Sequence, residues 1–298
     1  MFDVGRSSFK TTLYGINIAC ECLQNNLALI QHARMDKDVN MSITVDPDWW
    51  KTLFDEVYLI TDARSVCNED ITRLEVDVIC ELLPIRRQNK ILDLCGGHGR
   101  HSLELCARGF SCCTVLDYSQ VLIDYAKARA VECNLSIEAV QSDARRTGFP
   151  DESFDHVLIM GNSLGYIKGP ADRQIMAEAY RLLRPEGWFL VDVTDGDAIK
   201  GAFNPETWHE IDDHTVVCRK RVLKGETIHA REMVLNKQEG LIRDRTYAVR
   251  LYGSQTLASL LEQAGFQQVT VRTDFSPHKS KGDYGFMNNR MLAIGKKI

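Results

Sequence analysis

The run Ile91-Leu92-Asp93-Leu94-Cys95-Gly96-Gly97-His98-Gly99-Arg100 constrains the fold more than any other part of the chain. An apolar stretch that gives way to an acid and a glycine cluster, directly before a helical pattern, reads as a strand turning into a helix. Glycine has no Cβ, so Gly96, Gly97 and Gly99 let the backbone turn tightly and let a ligand approach the main chain. The N-terminus of the following helix places its positive end at the same point. A small ligand is therefore expected at this strand-to-helix turn.

The next segment repeats the design. Ser111-Cys112-Cys113-Thr114-Val115-Leu116 reads as a buried strand and ends in Asp117, one helix beyond the glycines, where a carboxylate can accept both hydroxyls of a ribose. That spacing suits any nucleoside-containing cofactor, so a nicotinamide dinucleotide and S-adenosylmethionine are both open at this point. Three details favour the second. Ser102 stands where the dinucleotide fingerprint wants its third glycine. A third strand-like segment, Ser136 to Gln141, is followed by Asp143, whose carboxylate can accept from the exocyclic amine of an adenine. Finally, no tyrosine is followed four residues later by lysine, the pair that many small reductases use to deliver a proton.

On these residues, and in motif order from about Tyr58 onward, the sequence resembles the class I S-adenosylmethionine-dependent methyltransferases. Asp93 to Gly99 is similar to their first motif, usually Asp-x-Gly-x-Gly-x-Gly, with Cys95 at the first glycine. Phe154 to Met160 looks like the fourth strand, and Leu182-Leu183-Arg184-Pro185-Glu186-Gly187-Trp188 like a helix end, a turn and the start of a fifth strand that closes on Val191-Asp192-Val193. The resemblance implies an α/β, Rossmann-like, doubly wound seven-stranded sheet with its last strand antiparallel. It implies S-adenosyl-L-methionine as cofactor and S-adenosyl-L-homocysteine as product. The loop of Asp93, Cys95, Gly96, Gly97 and Gly99 would then face the methionyl end, Asp117 the ribose and Asp143 the adenine side, with Tyr118, Ser119, Ala144 and Arg145 also in the implied cofactor-binding set. Met160, Gly161 and Asn162 after the fourth strand, with Tyr58, complete the implied cofactor set. The segments around Gly165-Tyr166 are most similar to the branch that methylates amino groups of sugars, amino acids and other small metabolites.

A chain of 298 residues with 44% hydrophobic content can bury a full core and carry accessories. We expect a helical cap over 1–60, a cofactor-binding core over 61–195, an antiparallel β cap inserted at 196–252, and the rest of the core sheet over 253–298. Apolar positions from Phe9 to Ala33 recur at helical spacing, Pro47 opens a second helical stretch through Trp49, Leu53, Val57 and Tyr58, and a third runs from Thr72 to Leu83 before Pro84. Strands are expected around Val216-Val217-Cys218, Glu226 to His229 and Tyr247 to Leu251, joined by Lys-Gly-Glu and Gln-Glu-Gly turns. A helix over Ser254 to Ala264 and strands over Phe266 to Thr273 and Arg290 to Lys296 follow.

The net charge of -5, with no long basic run, argues against a nucleic-acid partner. The ten cysteines lack Cys-x-x-Cys spacing and several fall in expected core elements, which fits reduced thiols and a cytoplasmic protein. No stretch approaches the ~20 apolar residues needed to span a bilayer, and charged residues interrupt any leader-like core, so no membrane partner is expected. A homodimer is compatible with the pattern.

Methyl transfer is an in-line displacement whose sulfonium leaving group is already good, so alignment matters more than acid–base apparatus. Tyr166, after the fourth strand, and His209, in the motif Thr207-Trp208-His209-Glu210, are the candidate catalytic groups, either able to assist an amine by taking its proton. Trp208, Arg245, Tyr247, Arg250 and Arg290 are the candidate substrate-binding residues, the arginines as forks for a carboxylate or other anion. His98 and His101 flank the glycine loop but lack an acidic cluster, so no metal is expected, and Cys20-x-Cys22 reads as part of a helix. The expected acceptor is a small molecule, nitrogen first and oxygen second. A nicotinamide-dependent oxidoreductase and a non-catalytic cofactor-binding protein are the alternatives.

Overall fold

Strand-length apolar runs separated by amphipathic helices assemble here into a mostly parallel sheet, as they do whenever both sheet faces are covered. The structure, a computed structural model, describes residues 42–62, 68–278 and 287–298. The helix expected over Phe9 to Ala33, with Cys20-x-Cys22, lies outside them. Ile43–Ile298 forms one compact unit, and it holds every element below.

In chain order it contains a short 3-10 turn at Trp49–Lys51, α1 (Glu56–Ile60), α2 (Glu69–Leu82), β1 (Lys90–Leu94), α3 (Arg100–Ala107), β2 (Cys112–Asp117), α4 (Gln120–Glu132), β3 (Glu138–Gln141), β4 (Phe154–Ile159), α5 (Ala171–Leu182), β5 (Leu183–Thr194) and α6 (Gly196–Gly201). Four strands follow, β6 (Glu206–Glu210), β7 (Thr215–Lys224), β8 (Thr227–Asn236) and β9 (Gly240–Arg250), then α7 (Ser254–Gln263), β10 (Gln267–Phe275) and β11 (Arg290–Lys296). The main sheet has the order β10-β11-β5-β4-β1-β2-β3. β11 runs antiparallel to both neighbours, as the resemblance implies, while β1 to β5 are parallel.

Alternation along β1 sends Leu92 and Leu94 into one half of the core with Val157, Ile159 and Leu182, and Ile91 into the other with Val76, Ile79 and Leu158. Asp93 shares the face of Ile91. Helix α2 starts where Asn68 accepts from the Ile71 N–H at 3.0 Å, with Glu69 and Asp70 in its first turn complementing the helix dipole, and it stops ahead of Pro84.

Two expectations need correction. The helical stretch from Pro47 to Tyr58 is a 3-10 turn and a separate helix, because the Asp55 carboxylate accepts from Val57 N and Tyr58 N and starts α1 afresh. The Leu-x-Pro-x-Gly turn is absorbed into β5 as a bulge. Pairing with β4 jumps from Phe154↔Leu183 to His156↔Trp188, and Glu186 takes a φ of 69°.

The second sheet, order β6-β7-β8-β9, is antiparallel and lies between α6 and α7 in sequence. Two of its three hairpins, β7–β8 and β8–β9, turn at Gly225 and Gly240, both at positive φ. One face packs Ala230, Tyr247 and Val249 against Ile43, Val45, Trp49, Trp50 and Leu53. The end of β9 meets the loop after β4, where Arg250 N donates to Gly165 O at 2.8 Å. A Cβ on Gly165 would stand 2.5 Å from the Arg250 carbonyl oxygen, so only glycine permits this approach.

Candidate active site

Strand order reverses between β1 and β4, and in open α/β sheets the crevice at the carboxyl ends of such strands receives ligands. A cleft of about 790 Å³, mouth included, opens there. Its floor comes from Cys95, Gly97, Asp117 and Gly161, its sides from Tyr118, Leu122, Asp143, Ala144, Ser163 and Ile175, and its cover from Trp50, Phe54 and Tyr58, with Tyr166, Ile167 and Asp172 closing one flank.

The loop after β1 is left-handed at three positions, Cys95 (φ 59°), Gly97 (55°) and Gly99 (74°). Cys95 therefore carries the strain that glycine would avoid at that place in the motif. Gly97 N donates to Asp117 Oδ2 at 2.8 Å, and Ser119 N donates to Oδ1 at 2.8 Å, so β1 and β2 meet directly through the expected ribose acid. Burial raises the Asp117 carboxyl pKa, and these backbone bonds oppose the shift. Ser119 also caps α4 and donates from Oγ to Phe54 O at 2.6 Å, which ties the covering segment to the core.

Asp93 lies fully buried under the loop, and a Cβ on Gly96 would come within 2.7 Å of its Cγ. Ser102, the residue that breaks the dinucleotide fingerprint, donates to Asp93 Oδ2 at 3.2 Å. Oδ1 has no partner among the described residues. Burial pushes the carboxyl up to about 7, the Ser102 bond and Arg100 opposing it. His98 and His101 are driven down by burial, to about 3 and about 4, so both rings are neutral near pH 7.

At the other end, Arg145 chelates Asp143, with Nε at 2.9 Å from Oδ1 and Nη2 at 2.5 Å from Oδ2, and holds that carboxyl below its ordinary range. The same guanidinium sits 5.3 Å from the Trp50 ring, which meets Tyr118 edge-on at 4.6 Å. Trp50 Nε1 is buried without a partner among the described residues. Met160 is buried and Asn162 Oδ1 accepts from Thr194 N at 2.8 Å, so both brace the loop after β4, leaving Gly161 and Ser163 at the cleft.

Tyr166 stacks on Phe54 at 5.7 Å and 26° and meets Trp49 edge-on at 5.2 Å, while Tyr58 stands edge-on to Phe54 at 5.2 Å. Burial raises the Tyr166 phenol pKa and keeps it protonated. Asp172 Oδ1 accepts from Gly165 N at 3.1 Å, and Oδ2 from Tyr252 Oη at 2.5 Å and Arg250 Nη1 at 3.0 Å.

The structure does not bring the remaining candidates to the cleft. Arg290 is fully buried in the core, with its guanidinium bound to Asp192 and Glu75 and so not offered to a substrate. Trp208 is 69% exposed, and it shares β6 with His209 at the far edge of the second sheet from β9. Arg245 is exposed and donates to the Asp244 carbonyl, Arg250 is paired with Asp172, and Tyr247 packs on Trp49 at 5.7 Å behind the cover. Gly99 backs onto Ala126, where an added Cβ would come within 3.1 Å. Sequence reasoning did not name Trp50, Phe54, Leu122, Ser163, Ile167, Asp172 or Ile175 as site residues, although all of them line the cleft. Only the aromatic density around Trp49-Trp50 hinted that this segment could cover a site.

Trp50 Nε1, buried without a partner among the described residues, belongs to a residue that lines the cleft, and Asp93 Oδ1 lies unpartnered beneath the glycine loop, which contributes Cys95 and Gly97 to the lining. A ligand with an ammonium at one end, a diol in the middle and a purine at the other fits these carboxylate acceptors with Trp50 Nε1 as a donor. The comparisons agree. A methyltransferase-domain family matches residues 91–187. YqeM of Bacillus subtilis, which carries a methyltransferase name, is 31% identical over 63% of this chain and 78% of its own. The glycine/sarcosine N-methyltransferase of Aphanothece halophytica is 26% identical over 66% of this chain and 73% of its own. A solved S-adenosylmethionine-dependent methyltransferase from Clostridium acetobutylicum superposes with a TM-score of 0.63 at 16% identity, covering 81% of this chain and 96% of that one. The chain belongs to the class I S-adenosylmethionine-dependent methyltransferases, and S-adenosyl-L-methionine is its cofactor.

Proposed function

We propose that the chain methylates an amine nitrogen of a small molecule bound against the aromatic wall of Tyr166, Phe54 and Tyr58. The observation that carries this reading is the aromatic wall itself, which stands beside the glycine loop in the same cleft. Ring faces attract cationic and polarised nitrogen, and they exclude water around the reacting atoms. The N-methyltransferase name of the Aphanothece relative supports nitrogen as acceptor.

S-adenosylmethionine supplies an electrophilic methyl on a sulfonium, so the protein's own work is alignment. Asp93 and the loop amides would hold the amino-acid end, Asp117 the ribose, and Asp143 with Trp50 the adenine. Tyr166 is too weak an acid to lose its proton near neutrality and too weak a base to gain one. Its oxygen instead accepts a hydrogen bond from the amine and directs the lone pair, and the acceptor reacts as the free base. The second sheet supports the covering segment from behind.

The test is methyl transfer from S-adenosylmethionine to a panel of primary and secondary amines, phenols and carboxylates, read by mass spectrometry. Amines should gain methyl groups, and Tyr166→Phe should slow turnover about fivefold, the worth of one hydrogen bond. Methylation confined to phenols or carboxylates would overturn the proposal.

A further inference from the structure

Helix α1 covers the cleft through Tyr58 and is preceded by Phe54, yet none of its five residues is buried. So short a helix does not persist by itself, and its own apolar residues are only partly buried, Tyr58 meeting Phe54 edge-on. A chain of charges holds it at both ends. Asp62, just after α1, accepts from Arg219 Nη2 at 2.5 Å, and Arg219 Nε donates to Glu232 Oε2 at 2.8 Å. Glu232 Oε1 accepts from Arg243 Nη2 at 2.9 Å, and Arg243 Nη1 donates to Asp55 Oδ1 at 2.9 Å, just before α1. The three central side chains are 4%, 2% and 3% exposed, and none of the five residues lines the cleft.

Because buried ion pairs return little net stability, such a chain is better explained by the geometry it enforces. We propose that Glu232, with Arg219 and Arg243, acts as a positioning group for the cofactor site, gripping α1 at both ends so that Phe54 and Tyr58 close over the cleft. The inserted sheet thus shapes the site from behind without contributing a wall to it. This rests on the reading that the cleft binds S-adenosylmethionine.

The full chain is titrated with S-adenosylhomocysteine by calorimetry as wild type, Asp55→Asn, Arg243→Lys, Phe54→Ala and the Asp55→Asn/Phe54→Ala double variant. The Asp55→Asn change keeps a side-chain oxygen to cap α1 and removes the charge facing Arg243, while Arg243→Lys keeps the charge and cannot bridge two carboxylates. Asp55→Asn and Arg243→Lys should each weaken binding about tenfold, and the double variant should lose little beyond Phe54→Ala, as expected when one residue acts through the other. Binding within about twofold of wild type in both charge variants, whatever their melting temperatures, overturns the proposal, as does full additivity. If Asp55→Asn does not fold, Arg243→Lys with and without Phe54→Ala decides. Failure of the wild type to bind refutes the cofactor reading itself.

Discussion

Asp93 is the residue whose environment departs furthest from water while leaving an oxygen unbonded. Its carboxyl is lifted from 3.8 to about 7, so in the folded protein it keeps a proton that the unfolded chain has released over that window. The sign follows: its burial lowers stability progressively as pH rises from about 4 to about 7. An ammonium ligand favours the carboxylate. S-adenosylhomocysteine affinity should therefore rise with pH up to about 7 and level off, until the ligand's own amine loses its proton above about 8. Calorimetry across that range checks it, and Asp93→Asn should flatten the rise. At Cys95 the φ of 59° predicts that Cys95→Gly gains up to about 1 kcal/mol, since relief of left-handed strain of about 1–2 kcal/mol exceeds the added chain entropy of about 0.5–1 kcal/mol. Urea unfolding reads this directly, and a lower midpoint would show that thiol packing outweighs the strain. That Asp117 and Asp143 stand at the cleft was legible because each follows a strand-like run. That Arg145 already engages Asp143 was not, since chelation across two residues leaves no periodic trace.

At the scale of elements, strands and their turns were readable wherever period or glycine marked them, as at Gly225 and Gly240. The misread arginine on β11 shows why position in a sheet does not reveal what a side chain meets. Arg290 joins β11, β5 and α2 through Asp192 and Glu75. Burial alone would raise the Glu75 pKa, but Arg290 and Arg100 hold it well below the ordinary range. Arg290→Met leaves two buried carboxylates short of a partner and should cost about 3–5 kcal/mol in thermal or urea unfolding. A loss under about 1 kcal/mol would mean that the network relaxes or takes up protons. Gly165→Ala, which forces a Cβ toward the Arg250 carbonyl at a φ of 87°, should cost at least about 2 kcal/mol and loosen the joint between loop and second sheet.

Across the whole molecule, the class of fold was legible because one strand–glycine–helix unit and its acidic successors recur in fixed order, and the resemblance supplied the antiparallel last strand. The route by which the second sheet reaches the site was not legible. It depends on pairs such as Asp55 with Arg243, far apart in sequence and brought together only by folding. The same holds for the cover, where Phe54 meets Tyr166 across separate segments. The most direct test of the central claim is diffraction from crystals grown with S-adenosylhomocysteine. The account predicts ribose hydroxyls on Asp117, the amino-acid end over Gly97 and Asp93, the purine between Asp143 and Trp50, and the sulfur facing Tyr166. Ligand density elsewhere, or a cleft closed by packed side chains with the ligand excluded, would contradict it.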